Sequence, residues 1–391
     1  MNILYLHLGI TGRWARTFYM ARGLARAGHN VTLLTAMNKP HGLKLWHTSI
    51  IDNVRIVEFY EPLPKKFLSK GFGFISVIMK CVYALYHQYE LVVCDGGTRS
   101  AGIVCRFYRY THNTIYISEW WDFLGKDGYL DNKSLIYKIL YGWWENYIEI
   151  RDKQVADGVV VLSNFMRQRA IEHNIDDKKI EIIQGGTMQE LIDMSLISTN
   201  HSTLNLGYIG MNNRECSLLE NFLYAITDEK FHGKVKFHTY GSYLDKNIIE
   251  KYGLKDVIVE HGWVNLSSVV DIIKLKDIDV FVQFLPDNNM AKAGFPNKLG
   301  EYISLGRAVI LAPYGDLWQF IHDREGFFVI ERDIESIKEK ISEILAMDRK
   351  KLACMGKSSR EYAKMLTWEN KAKQMLLFYQ RILSKDNVFR E

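Results

Sequence analysis

Cysteine is scarce in this chain and scattered. Cys81, Cys94, Cys105, Cys216 and Cys354 are the only five in 391 residues, with no CxxC pair and no clustered histidine beside them. Neither a disulfide framework nor a zinc-ligand spacing can be read from them, and such usage fits a reducing compartment. Long apolar runs are missing as well. The most apolar stretch, residues 71–86, is interrupted by Lys80 and falls short of the ~20 residues a spanning helix needs. The opening Asn2-Ile3-Leu4-Tyr5-Leu6 lacks the basic start, apolar core and small-residue cleavage site of a secretory signal and reads as a strand. A soluble or membrane-peripheral cytoplasmic protein is expected. HExxH, the P-loop and a Ser-His-Asp order are all absent, which disfavours hydrolase and kinase readings.

What is present supports packed cores: 48% of the residues are apolar, and the length suits two or three domains of ~150 residues each. The formal net charge of +5 hides an asymmetry. Residues 1–118 hold fourteen basic and five acidic side chains, a local balance of +9, while the remainder is −4. A basic lobe of this kind suits an anionic partner.

Residues 3–8 form an apolar run, 13–27 carry apolar residues at helical spacing up to Gly28, and 31–35 are again strand-like. This β-loop-α-β unit predicts a doubly wound parallel sheet, continued by short apolar runs at 91–94, 114–118, 158–162 and 179–183. Residues 189–203 turn polar and read as a linker. A second series follows, with strands at 204–209, 235–240, 257–260, 280–284 and 308–312 and helices at 217–227, 267–275 and 297–305. The expectation is an α/β protein of two Rossmann-like domains, 1–190 and 204–365, facing across a central cleft, with a helix over 366–391 packing back toward the first.

In such sheets ligands sit outside the carboxyl ends of the strands. Gly9-Ile10-Thr11-Gly12-Arg13 meets this condition, and Arg13 and Arg16 add charge, although the pattern is also that of an ordinary turn. The most specific stretch runs from Ala291 to Asp316. Pro296 is well suited to a helix start, Asn297 and Lys298 then offer N–H groups and a cation, and Glu301 shares a face with Lys298. An intrahelical ion pair on a plain surface helix is the competing reading.

These residues carry a resemblance. Residues 25–35, 156–163, 179–186, 206–210 and above all the block 294–309 are similar to the family 4 glycosyltransferases, whose architecture is GT-B. The resemblance implies transfer of a sugar from a nucleotide sugar to a glycan or lipid-linked glycan in cell-surface polysaccharide assembly, with retention of configuration. It implies that Glu301 holds the ribose and that Phe295, Pro296 and Asn297 present backbone to sugar and phosphate. Gly210 ends the first donor-domain strand, and Trp263 stands in the turn near the base, where a core role is equally open. The family's cations after that strand fall on Met211 and about Cys216, so Arg214 and Lys298 are the candidates for neutralising the diphosphate, with no metal or other cofactor expected. The family's second Glu falls on Ala293. Glu119 and, after it, Asp122 are placed at a strand end for acceptor positioning or base duty. Gly12, Arg13 and Arg16 are assigned to the acceptor.

Residues 64–74 interleave Lys65, Lys66 and Lys70 with large apolar side chains, which fits contact with the anionic inner face of the plasma membrane; no nucleic-acid reading motif occurs. Two rivals stay open. Ala293, Met211 and Cys216 fit a non-catalytic sugar-nucleotide or glycan binder, and a GT-B epimerase or hydrolase would act on the sugar nucleotide alone. An oxidoreductase is distant, because the GxGxxG fingerprint is missing.

Overall fold

A computed structural model describes residues 1–10, 16–40, 44–68, 71–96, 99–122, 125–126, 128–194, 202–210, 217–266 and 268–390. The chain forms two compact units. One comprises Met1–Gly185, Lys292–Phe295 and Trp368–Glu391, the other Gly186–Ala291 and Pro296–Thr367. The boundary expected at 190 thus falls at Gly185, and the segment 292–295 goes with the first unit although its neighbours go with the second.

The first unit holds one sheet of β1 (Asn2–Ile10), β2 (Asn30–Met37), β3 (Trp46–Ile51), β4 (Val54–Tyr60), β5 (Leu91–Cys94), β6 (Ile115–Trp120), β7 (Gly158–Val161) and β8 (Ile180–Ile182). Their order is β3-β4-β2-β1-β5-β6-β7-β8, and only β3 runs antiparallel. Every residue of β5, β6 and β7 is buried, as parallel strands covered on both faces require. The expected set omits β3 and β4. β3 is an edge strand of alternately exposed and half-buried residues, including His47, Thr48 and Ser49, so it lacks the apolar run that marks its neighbours.

The second unit holds β9 (Leu204–Gly210), β10 (Val235–Gly241), β11 (Ile258–Glu260), β12 (Val280–Gln283), β13 (Ala308–Leu311) and β14 (Phe327–Val329), all parallel, in the order β11-β10-β9-β12-β13-β14. Each sheet reverses its winding once, between β1 and β5 and between β9 and β12, which is where ligands gather in doubly wound folds. Each unit has its own core. Phe222, Phe237 and Phe284 meet at centroid distances of 5.0–6.1 Å in the second, while Tyr116 and Trp120 pack among aliphatic residues in the first.

The helix Trp368–Arg390 is bound to the helix Arg16–Arg26 within the first unit. Tyr19 stacks on Trp368 at 5.7 Å, and Arg26 pairs with Glu369 at 2.7 Å. Close approach depends on two glycines: a Cβ on Gly23 would lie 2.7 Å from Ala372 Cβ, and one on Gly158 2.7 Å from Phe378 Cζ. Among the described residues no helix is long and apolar enough to cross a membrane.

Candidate active site

In the second unit, β9 delivers Gly210 to the point where the winding reverses. Gly210 has φ +144° and Gly241, its partner at the end of β10, has φ +135°. A Cβ on Gly241 would stand 1.9 Å from the Gly210 carbonyl oxygen, and one on Gly210 2.0 Å from Lys298 Nζ. Only glycine fits both positions, and the space so made brings the Lys298 ammonium onto the strand end. The ammonium donates to Tyr208 Oη at 3.1 Å and lies 4.7 Å from that ring's centroid.

Lys298 is held because its helix, Asn297–Ser304, is tied down. Tyr302 Oη accepts from Ile209 N at 3.0 Å, its ring stacks on Phe281 at 4.2 Å, and Ser304 Oγ meets Thr187 Oγ1 at 2.9 Å. Glu301, three residues on from Lys298, is half-buried, and burial pushes its carboxyl up to about 7 against the pull of Lys298. Burial in turn lowers the Lys298 ammonium, opposed by Glu301. Sequence reasoning missed Gln283, the last residue of β12, whose Oε1 is buried without a hydrogen-bond partner beside the same switch point. Its only signal was a polar residue closing an apolar strand.

In the first unit the corresponding point is occupied by His7 of β1 and Asp95 after β5. His7 Nδ1 is hydrogen-bonded to Asp95 Oδ2, and Thr17 Oγ1 donates to the same oxygen. Neither His7 nor Asp95 was anticipated. Glu119, in β6, is fully buried. Its Oε2 accepts from Arg16 Nε at 3.1 Å and Trp121 Nε1 at 2.6 Å, while Oε1 has no partner. Burial raises this carboxyl to about 8, with Trp121 and Lys153 pulling the other way.

Arg16, expected to meet the acceptor, is instead committed inside its unit. Besides Glu119 it donates to Gln184 O at 2.9 Å and Ile183 O at 3.0 Å, and its guanidinium lies over Trp121 and Trp368. Burial lowers it to about 10, with Asp95 opposing. Asp122 is exposed beyond β6. Trp263 is 69% exposed, which removes the core reading for it. Phe295 is buried in the first unit, whereas Pro296 and Asn297 start the helix of Lys298 in the second. Ala293 is fully buried and its carbonyl accepts from Ser163 Oγ at 2.8 Å, so the small side chain there meets a packing need. Gly12, Arg13, Arg214, Met211, Cys216 and Lys70 lie outside the described residues.

Two parallel Rossmann-like sheets with this arrangement define the GT-B fold, and solved structures agree. A sucrose-phosphate synthase from Thermosynechococcus elongatus matches with a TM-score of 0.71 at 16% identity, over 98% of this chain and 100% of that one. HepE from Anabaena, in complex with UDP and glucose, matches with a TM-score of 0.68 at 12% identity, over 97% and 99%. The lipopolysaccharide outer core galactosyltransferase WaaB in its apo form matches with a TM-score of 0.62 at 12% identity, over 98% and 100%. No protein with a curated description matches the chain. The profile of Glycosyltransferase Family 4 covers residues 12–188 and that of Glycosyl transferases group 1 covers 203–347. The chain belongs to the glycosyltransferases of the family 4 type.

Proposed function

We propose that this enzyme moves a sugar from a nucleoside-diphosphate sugar to a hydroxyl of a lipid-linked glycan, with retention of configuration, during assembly of a cell-surface polysaccharide at the inner face of the membrane. The observation that carries the reading is the Lys298 ammonium seated over Gly210 at the end of β9, where a diphosphate finds a fixed, partly desolvated cation. Glu301, on the same helix, accepts hydrogen bonds from the ribose diol. Arg214 supplies a second cation, so that neutralisation of the leaving group needs no metal. Support for the donor class comes from HepE, which was solved with UDP and glucose, and for the cell-surface role from WaaB.

In a retaining transfer the bond from sugar C1 to the phosphate oxygen breaks as the bond to the acceptor oxygen forms on the same face, and the acceptor proton ends on the departing diphosphate. Glu119 is fully buried and holds Arg16 and Trp121 through one oxygen, so it positions those neighbours rather than abstracting a proton from the acceptor. We assign the guiding of that proton to His7, which Asp95 orients through Nδ1 at the strand ends of the first unit.

The test is calorimetric titration with a panel of nucleotide sugars, then turnover with lipid-linked acceptors. Glu301→Ala is expected to weaken donor binding by about 1.5–3 kcal/mol, the cost of losing a hydrogen bond to a charged group. Lys298→Ala is expected to lower turnover at an unchanged melting temperature, and activity is expected to persist in EDTA. A folded Lys298→Ala variant with parental activity, or reversible loss of all activity in EDTA, removes the mechanism.

A further inference from the structure

The first unit presents apolar surface that its own fold leaves in water. Leu135, Ile136, Ile139, Leu140, Trp143 and Tyr147 are each more than half exposed along the helical run that passes through a π-helical turn at Lys138–Gly142. On the helix Ile75–Leu85, Ile78, Val82 and Leu85 are exposed at helical spacing, preceded by Phe74 at 74% exposure. Patches of this extent mark a partner. The accompanying side chains say which one. Residues 65–112 contain seven lysines and arginines against Glu90 and Asp95. Of these Lys65 is exposed, whereas Lys80 is buried and Arg106 and Arg109 pair with Asp152 and Asp157. Tyr141, Trp143, Trp144 and Tyr147 stand exposed among the aliphatic residues. Cations with amphipathic aromatics are the chemistry of an anionic lipid interface.

Within this surface lies a cavity of about 560 Å³, walled by Phe72, Ile103, Tyr137, Tyr141, Trp144 and Ile148. Its size falls in the range of pockets that enclose an organic ligand, and its lining is largely apolar. Its polar margin is Ser100 and Glu145, the latter accepting from Tyr137 Oη at 2.9 Å. Location connects it with chemistry. Ser100 and Ile103 lie at the start of the helix that follows β5, just past Asp95. The helix Trp143–Val155 turns Trp144 and Ile148 into the cavity. It sends Glu149 and Lys153 to β6, where Trp120 Nε1 donates to Glu149 at 2.7 Å and Lys153 Nζ donates to Glu119 O at 3.2 Å. One helix therefore spans from the cavity to the buried Glu119 cluster.

We propose that this cavity takes the hydrocarbon chain of the lipid-linked acceptor, anchoring it so that its reactive end is directed to the strand ends of His7, Asp95 and Glu119. The inference rests on the membrane-bound glycosyltransferase reading and adds a subsite to it. A chain drawn from the bilayer into a protein cavity beside the reacting groups is held at fixed depth and register, which a flat membrane contact does not achieve.

The test titrates the full chain with single-chain alkyl phosphates of four to fourteen carbons, below their micelle concentrations, following tryptophan fluorescence. Affinity is expected to rise about fourfold per methylene until the cavity is filled and then to level off. Ile103→Trp, which fills the cavity, and Tyr141→Asp, at a position more than half exposed, are each expected to cut affinity for the longest chains at least tenfold. Nucleotide-sugar binding is expected to stay unchanged in both. Affinity independent of chain length, or chain binding unaltered in both folded variants, overturns the proposal. Vesicle binding without chain-length dependence also overturns it and leaves the membrane reading standing. Chain-length-dependent binding in a protein that takes no nucleotide sugar upholds the cavity and removes the glycosyltransfer reading instead.

Discussion

Glu119 is a carboxyl group buried with one oxygen satisfied twice and the other not at all, and its consequence is a pH dependence of stability. Its value in the fold is raised from 4.5 to about 8, so between those limits the folded chain binds a proton that the unfolded chain has lost. Stability therefore falls as pH rises through that window. Replacing Glu119 by Gln keeps the acceptor oxygen for Arg16 and Trp121 and removes the titration. The drop in stability between pH 5 and pH 8, on the order of 2 kcal/mol for this group, is expected to shrink in the variant when followed by urea denaturation. An unchanged pH profile would show that Arg16 keeps Glu119 ionised throughout. At this scale the sequence was legible where a residue belongs to a contiguous pattern: Lys298 and Glu301 stand on one short helix. His7 and Asp95 were not, because they are 88 positions apart and only the pairing of β1 with β5 brings them together.

Helix packing sets a test at the next scale. Gly23 lies inside the helix Arg16–Arg26, where exchanging glycine for alanine gains ~1 kcal/mol of helix propensity on an exposed helix. Here the new Cβ meets Ala372 Cβ at 2.7 Å and Trp368 O at 3.0 Å, and overpacking costs ~1–3 kcal/mol. The clash wins, so Gly23→Ala is expected to lower the urea midpoint. Ala372→Gly in the same chain is expected to recover part of the loss, a coupling that a double-mutant cycle measures. A stabilised Gly23→Ala variant would contradict the packing described. Elements buried on both faces were readable as apolar runs, among them β5, β7, β12 and β13. Those on an edge were not: β3 alternates toward solvent, and β14 is three residues long. The run from Leu135 also escaped, because its apolar residues face outward and so lack the polar side that marks an amphipathic helix.

For the molecule as a whole, the basic balance of residues 1–118 predicts attachment to anionic vesicles. Replacing Lys65, Lys66 and Lys70 together by Glu is expected to reduce flotation sharply, most at low salt, where the Debye length is long. Neutral vesicles are expected to bind poorly with either protein. Parental flotation by the triple variant would leave the aromatic surface as the whole of the attachment. The terminal helix has a further consequence, which concerns synthesis. Its seat against Gly23 and Gly158 is made early, yet its residues leave the ribosome only after the entire second unit. The amino-terminal unit therefore cannot complete its packing in the usual vectorial order, and must wait as an unfinished intermediate with the Trp368 and Phe378 contacts unmade. A gene fragment cut at Gly185 would encode that intermediate permanently, so a soluble, separately folded first unit requires the terminal helix to be grafted back through a linker.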